Sequence, residues 1–182
     1  TFNLEMKDIK LIHSKYINNN INNNYLITVD INNQILTLFE NFKIIKKYKI
    51  STSKFGEGQE TGSNKTPLGA HYIRDCIGNN AEIFTVFQNR IETNNLAEVI
   101  KDKRSCNEDI ICSRILWLSG LENGINKGGN IDSYSRYIYI HGTNEEGLLG
   151  KKASHGCIRM SNSDIIELCN KEIFKSIVYI TK

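Results

Sequence analysis

Apolar residues in this chain fall mostly at every second position, the spacing of a strand with one covered face. Tyr25-Leu26-Ile27-Thr28-Val29-Asp30 and Gln34-Ile35-Leu36-Thr37-Leu38-Phe39 are such runs, and they flank Asn32-Asn33. Asparagine tolerates left-handed backbone, so the pair predicts a hairpin turn. Lys43 to Ile50 alternates again, with its lysines on one face. Ser51 to Pro67 is a loop holding Gly56, Gly58 and Gly62, and it ends in Thr66-Pro67-Leu68-Gly69, a turn in which proline presets φ. Short strands are expected at 70–74 and 82–87, and a helix over Leu96 to Lys101. Ser113 to Ser119 reads as a buried strand. Gly124, Gly128 and Gly129 then open a loop, and 88–132 reads as an insertion, either a flap over a cleft or a surface loop. Tyr134 to His141 is the next strand, with Tyr137, Tyr139 and His141 on one face.

Ser161-Asn162-Ser163-Asp164 has the pattern of a helix start, a serine cap with an acidic residue three on, and leads into Ile165-Ile166-Glu167-Leu168. Lys175 to Ile180 makes a last strand. No repeat is visible. Strands dominate and one helix is clear, so the class is mainly β, a sandwich or barrel with a few short helices. Residues 1–24 read as an N-terminal extension ending in the polar linker Asn18-Asn19-Asn20 and Asn22-Asn23-Asn24. Residues 25–182 form the domain.

Composition narrows the partners more than the fold. A chain of 182 residues with 40% hydrophobic content is enough for one domain with a real core. No run of eighteen apolar residues is present, so no transmembrane segment is expected. Asn occurs 23 times, Ile 28 and Lys 17, against one Pro; AT-rich codons explain that bias. A net charge of +3 is too small to argue for nucleic acid and is compatible with an anionic polymer. The chain begins at Thr1, not at a methionine, so the lack of a visible leader carries no information about location.

Five cysteines occur, Cys76, Cys106, Cys112, Cys157 and Cys169, with no C-x-x-C pair. That argues against a zinc ribbon or a thioredoxin-like centre. Cys106 and Cys112 could close a short loop in an oxidising compartment; the other reading is small buried side chains.

Candidate chemistry concentrates in seventeen residues, His141 to Cys157. Ser154-His155-Gly156-Cys157-Ile158-Arg159 supplies a thiol, and a thiol needs a base to attack a carbonyl. His155 and His141 compete for that role. On an extended segment His155 shares a face with Cys157, but such neighbours seldom make a good nucleophile–base hydrogen bond. A partner from another strand approaches the sulfur freely, which favours His141. No Asp or Glu is an obvious orienting group for it, which leaves the Gly142 carbonyl. Gly156 permits a strained turn, so the N–H groups of His155, Gly156 and Cys157 could face a developing oxyanion. Arg159 could grip a substrate carboxylate. A zinc site from His141, His155 and Cys157 is chemically allowed but fits the arginine and glycine less well. His13 and His71 read as structural or surface residues.

Tyr139-Ile140-His141-Gly142-Thr143, twelve residues between His141 and Ser154, then Ser154-His155-Gly156-Cys157-Ile158-Arg159-Met160 resembles the signature of the L,D-transpeptidase catalytic domain of YkuD type. Gly62-Ser63 and Arg136 to Asn144 look like its periplasmic, ErfK/YbiS-like members. The order of strands, the Thr66-Pro67-Leu68-Gly69 turn and the final helix and strand also match, so the resemblance covers Tyr25 to Lys182. Some members carry asparagine where this chain has Arg159, a common variant.

The resemblance implies a mainly β, sandwich-like fold and a cysteine enzyme acting on peptidoglycan. Cys157 would attack the carbonyl of the third residue of a stem tetrapeptide, release the terminal D-alanine and form a thioester. An amine of a neighbouring stem would then resolve it as a 3→3 cross-link. Water as acceptor would make an L,D-carboxypeptidase, and a lipoprotein lysine is another acceptor. An idle cell-wall-binding module is the alternative from a different class. In the carried-over roles His141 is the base and the Gly142 carbonyl orients it. The oxyanion hole comes from His155, Gly156 and Cys157. Ser154, Arg159, Tyr139 and Thr143 shape the substrate site. No metal or organic cofactor is implied. The implied partners are stem peptides and carbapenem inhibitors. The implied location is extracytoplasmic, in the periplasm, with a signal peptide removed from a secreted precursor.

Overall fold

The computed structural model describes residues 4–106 and 108–182; residues 1–3 of the expected extension lie outside the described residues. Ten strands follow in order: β1 (Tyr25–Asp30), β2 (Ile35–Glu40), β3 (Lys43–Ser51), β4 (Gly69–Ile77), β5 (Thr85–Gln88), β6 (Ile91–Leu96), β7 (Ile111–Gly120), β8 (Tyr139–Thr143), β9 (Ile158–Met160) and β10 (Ile177–Thr181). Helix α1 (Met6–Tyr16) precedes them, and α2 (Asn162–Cys169) lies between β9 and β10. The strands form one sheet in the order β4-β10-β1-β2-β3-β9-β8-β7-β5-β6, and β4 also pairs with β7. That second pairing closes the first eight strands of the order into a ring, with β5 and β6 branching from β7. The expected mainly β class holds, as a single sheet closed on itself.

Closure explains the sequence pattern. One face of each strand points into the ring, where Ile27, Val29, Leu36, Leu38, Leu116, Leu118, Ile140 and Ile158 meet Ile165 and Leu168 of α2. β1 is buried on its outer face as well, because Leu26, Phe39 and Ile177 pack under Ile9 and Ile12 of α1. The 1–24 segment therefore contributes a helix to the core. At its start the Glu5 N–H donates to Asp8 Oδ2 at 2.8 Å. α2 begins as its sequence predicts, with Asp164 N–H donating to Ser161 Oγ at 3.2 Å.

Four expectations change, and one open alternative is decided. Residues 88–132 do not form one insertion, since β7 inside that range pairs with β8, β4 and β5. Leu96 to Lys101 is not helical: β6 ends at Leu96. Its backbone goes to distant partners instead, Ala97 N–H to Phe84 O at 2.8 Å and Ile100 N–H to Asn144 O at 2.7 Å. The strand expected from Tyr134 starts only at Tyr139, because Tyr137 turns the chain with φ of 56°. In the first hairpin the positive φ falls on Gln34, at 54°, not on the asparagines. Gln34 is buried and tied to Ile31 O and Thr52 Oγ1, each at 2.7 Å, so tertiary hydrogen bonds outweigh turn propensity. Finally, all five cysteines are unpaired, and Cys106 and Cys112 close no loop. The Cys112 thiol is buried and donates to Asn162 Oδ1 at 3.0 Å.

Candidate active site

β8 and β9 run side by side in parallel, pairing Ile140 with Ile158 and His141 with Arg159. Cys157 stands at the entry to β9. Cys157 is half-buried and its sulfur touches β8 and the turn before it: Tyr139 N–H donates to Sγ at 3.3 Å, and the thiol donates to Tyr137 O at 3.3 Å. Burial pushes the thiol up to about 12, more than the Tyr139 N–H and the charges of Arg159 and Arg136 pull it down. At rest the sulfur is a protonated thiol.

His141 is fully buried on the adjacent strand. Its Nδ1 lies 2.7 Å from the Gly142 carbonyl. A carbonyl only accepts, so Nδ1 carries the proton and Nε2 keeps its lone pair. Nε2 is buried with no hydrogen-bond partner. Burial lowers the pKa of the ring, outweighing Asp109 and the Gly142 carbonyl, so the imidazole is neutral at neutral pH.

Gly142 is required by space. A Cβ there would sit 2.5 Å from Cys112 O and 2.7 Å from Asn162 Oδ1. β7 reaches that close because it bulges opposite β8: Cys112 pairs with Gly142 and Ile115 with His141, leaving Ser113 and Arg114 unmatched. Ser113 takes φ of 70° in the bulge. Gly156 supplies the predicted turn, with φ of +125° and its missing Cβ 3.3 Å from Lys65 O. The turn is held by Thr66 Oγ1 donating to Gly156 O at 2.9 Å and Ser154 Oγ donating to Cys157 O at 2.6 Å. The Gly156 N–H donates weakly to Ser154 Oγ at 3.3 Å.

Three of the four residues expected in the substrate site do other work. Ser154 is fully buried and braces the turn. Thr143 is fully buried, its Oγ1 accepting from Glu145 N–H at 3.1 Å and its carbonyl from Asn162 at 2.8 Å. Arg159 is also buried, and its fork is already occupied. Nη2 and Nε donate to Asp109 Oδ1 at 2.7 and 3.2 Å, and Nη1 donates to Glu145 Oε2 at 2.8 Å. It is a buried charge bridge, not a free clamp for a substrate carboxylate. Tyr139 alone of the four packs beside Cys157.

Asp109 is the residue that sequence reasoning missed. It lies between β6 and β7, binds Arg159, and places Oδ2 3.2 Å from His155 Nδ1. Burial would raise its carboxyl, but His141, Arg159 and the hydrogen bonds hold it below the ordinary range. Fifty residues separate it from Arg159, and no local pattern marks it. Glu145 could have been suspected, since it lies between the two motif segments. Of the proposed zinc ligands, His155 turns to Asp109 and His141 to Gly142. Among the described residues no group of three or more metal-ligating side chains is gathered.

The fold and site together define a cysteine–histidine centre built across two parallel strands of a closed β domain. The family model for YkuD, the L,D-transpeptidase catalytic domain, matches residues 24–180, and the chain belongs to that family. YkuD of Bacillus subtilis (strain 168) is 44% identical over 50 residues, 25% of this chain and 30% of the relative. Its counterpart in Bacillus licheniformis is 42% identical over 50 residues with the same coverage. The chain thus matches less than a third of these relatives' length. Among solved structures, the LD transpeptidase LdtMt1 in complex with imipenem is 14% identical with a TM-score of 0.52, over 86% of this chain and 58% of that one. An L,D-transpeptidase from Mycobacterium tuberculosis H37Rv is 13% identical with a TM-score of 0.53, over 87% and 58%. At such identities the likeness is one of fold.

Proposed function

We propose that the chain is the catalytic domain of a peptidoglycan L,D-transpeptidase, with Cys157 as nucleophile and His141 as base. One observation carries the reading. The His141 Nδ1 contact to Gly142 O leaves a buried, unpartnered Nε2 lone pair on the strand that contacts the Cys157 sulfur. A buried acceptor without a partner is costly in a merely structural histidine. Family membership over residues 24–180 supports the same reaction class.

In this reading the thiol turns from Tyr137 O toward His141 and gives its proton to Nε2 as sulfur attacks the carbonyl of the third stem residue. The N–H groups of His155, Gly156 and Cys157 would serve the oxyanion, that of Gly156 on leaving its weak 3.3 Å bond to Ser154 Oγ. The carbon–nitrogen bond to D-alanine breaks, His141 returns the proton to the leaving amine, and a thioester remains. An amine of a second stem, deprotonated by His141, attacks the thioester, forms the 3→3 amide and restores the thiol. Such a substrate lies outside the cytoplasmic membrane, and the protein would work there. A carbapenem would acylate the same sulfur.

Incubation with disaccharide tetrapeptide tests this. Mass spectrometry should detect free D-alanine and 3→3 dimers with the wild type and neither with Cys157→Ala. Tripeptide without dimers would identify water as acceptor. Identical profiles for the two proteins, with no imipenem adduct on Cys157, would overturn the reading.

A further inference from the structure

β5 and β6 are joined by the two residues Asn89 and Arg90, with Gln88 paired to Ile91. Both turn residues have positive φ, 49° and 67°. That is the pattern of a type I′ hairpin, whose second position favours glycine. Arginine there strains the backbone, as phenylalanine does at Phe42 in the equivalent β2–β3 turn, with φ of 66°.

The Arg90 side chain runs back to the aromatic residues that pack beside Cys157. Nη1 donates to Tyr139 Oη at 3.1 Å, and the guanidinium lies 5.0 Å from the Trp117 ring and 4.9 Å from the Tyr137 ring. These are the walls of the nucleophile. The Tyr139 N–H and Tyr137 carbonyl both contact Cys157 Sγ, and Trp117, Tyr139 and Cys157 pack in one cluster. Next to them Trp117 stacks on Tyr134 at 4.1 Å, and Arg74 lies over Tyr134 at 3.9 Å. Arg159 is neutralised by two carboxylates, but among the described residues neither Arg90 nor Arg74 forms an ion pair. Aromatic rings hold a guanidinium in place without cancelling its charge. The open fork matches a carboxylate.

We propose that Arg90 is the specificity-determining residue that grips a carboxylate of the donor peptide, held in readiness by Trp117, Tyr137 and Tyr139. This rests on the transpeptidase reading, in which the donor is a peptide with a free terminal carboxylate. A carboxylate on the side chain of its third residue offers the same chemistry.

The test compares D-alanine release from three donor tetrapeptides: unmodified, C-terminal carboxamide, and side-chain carboxamide at the third residue. For the wild type, kcat/KM should fall about 10- to 100-fold for one of the two carboxamides, the loss of a charge-assisted contact. That peptide identifies the carboxylate gripped. Arg90→Gly should lower kcat/KM for the unmodified donor by the same factor and abolish the discrimination. Its Tm should hold or rise, because glycine suits the turn, and iodoacetamide should alkylate Cys157 at the wild-type rate. Arg90→Lys should restore part of the discrimination. A wild type that treats all three donors alike would overturn the proposal alone. So would an Arg90→Gly that keeps the discrimination. A wild type inactive on all three and unlabelled by imipenem would overturn the transpeptidase reading, and the proposal with it.

Discussion

Replacing Arg159 by alanine separates two roles that one side chain could have. Were it a substrate clamp, its loss would raise KM and leave the fold intact. In the structure its side chain is 2% exposed and donates to Asp109 at 2.7 and 3.2 Å and to Glu145 at 2.8 Å. The Glu145 side chain is equally buried and Asp109 is 30% exposed. Removing the guanidinium takes the cation from two carboxylates and leaves the buried Glu145, among the described residues, only the Cys106 N–H and Ser105 as donors. Breaking a buried pair in this way costs about 3–5 kcal/mol, against about 0–1 for a surface pair. Most of that falls on Glu145, because solvent screens Asp109. A domain is stable by only about 5–15 kcal/mol, so the loss is easily measured. Urea unfolding followed by the single tryptophan, Trp117, is the assay.

The pH dependence adds a second check. In the wild type burial works to raise Glu145, but the Cys106 N–H, Ser105 and Arg159 outweigh it and its carboxyl lies below the ordinary value. Its stability contribution is therefore present above the unfolded pKa and is lost as pH falls through the folded one. In Arg159→Ala burial meets less opposition and moves the carboxyl upward. The gap between the two proteins should therefore narrow as pH falls toward 4. An unfolding free energy within about 0.5 kcal/mol of wild type at pH 7.5, together with a raised KM, would refute this reasoning and restore the clamp.

Three further outcomes follow from the site and core. With its thiol near 12 and hydrogen-bonded to Tyr137 O, Cys157 should react with iodoacetamide at pH 7.5 up to roughly 10³-fold more slowly than an ordinary thiol. The rate should climb about tenfold per pH unit without levelling before pH 10; a plateau below pH 8 would mean a resting thiolate–imidazolium pair. Gly142→Ala must push a methyl into the Cys112 carbonyl, which should lower stability by about 1–3 kcal/mol and D-alanine release by about 10²-fold, with wild-type values in both assays contradicting it. His71 is buried between Gly69 O and Ser133 Oγ, and burial depresses it to about 4. The unfolded chain binds that proton below about 6.5, so stability should fall by about 3 kcal/mol as pH drops from 6.5 to 4; an unchanged acid limb in His71→Asn would count against this.

Local pattern was enough to place most of the strands, the α2 cap at Ser161 and the Gly156 turn, and contiguous chemistry was enough to propose Cys157 with His141. The sequence also carried the resemblance from which the family was recognised. Asp109, Glu145 and Arg90 acquire their roles only when the sheet closes, since their partners lie 50, 14 and 49 residues away. Arg159 shows the difference most clearly. Its place two residues after Cys157 suggests a hand held out to substrate, but burial requires its charge to be paired, and only the folded chain brings two carboxylates to it. The failed helix at Leu96 and the displaced turn at Gln34 have the same origin. In both places distant backbone and side-chain hydrogen bonds, invisible to local pattern, outweigh propensities worth a fraction of a kcal/mol per residue. Closure of the sheet sets which arginines are paired with carboxylates, as Arg159 is, and which lie among aromatic rings, as Arg90 does.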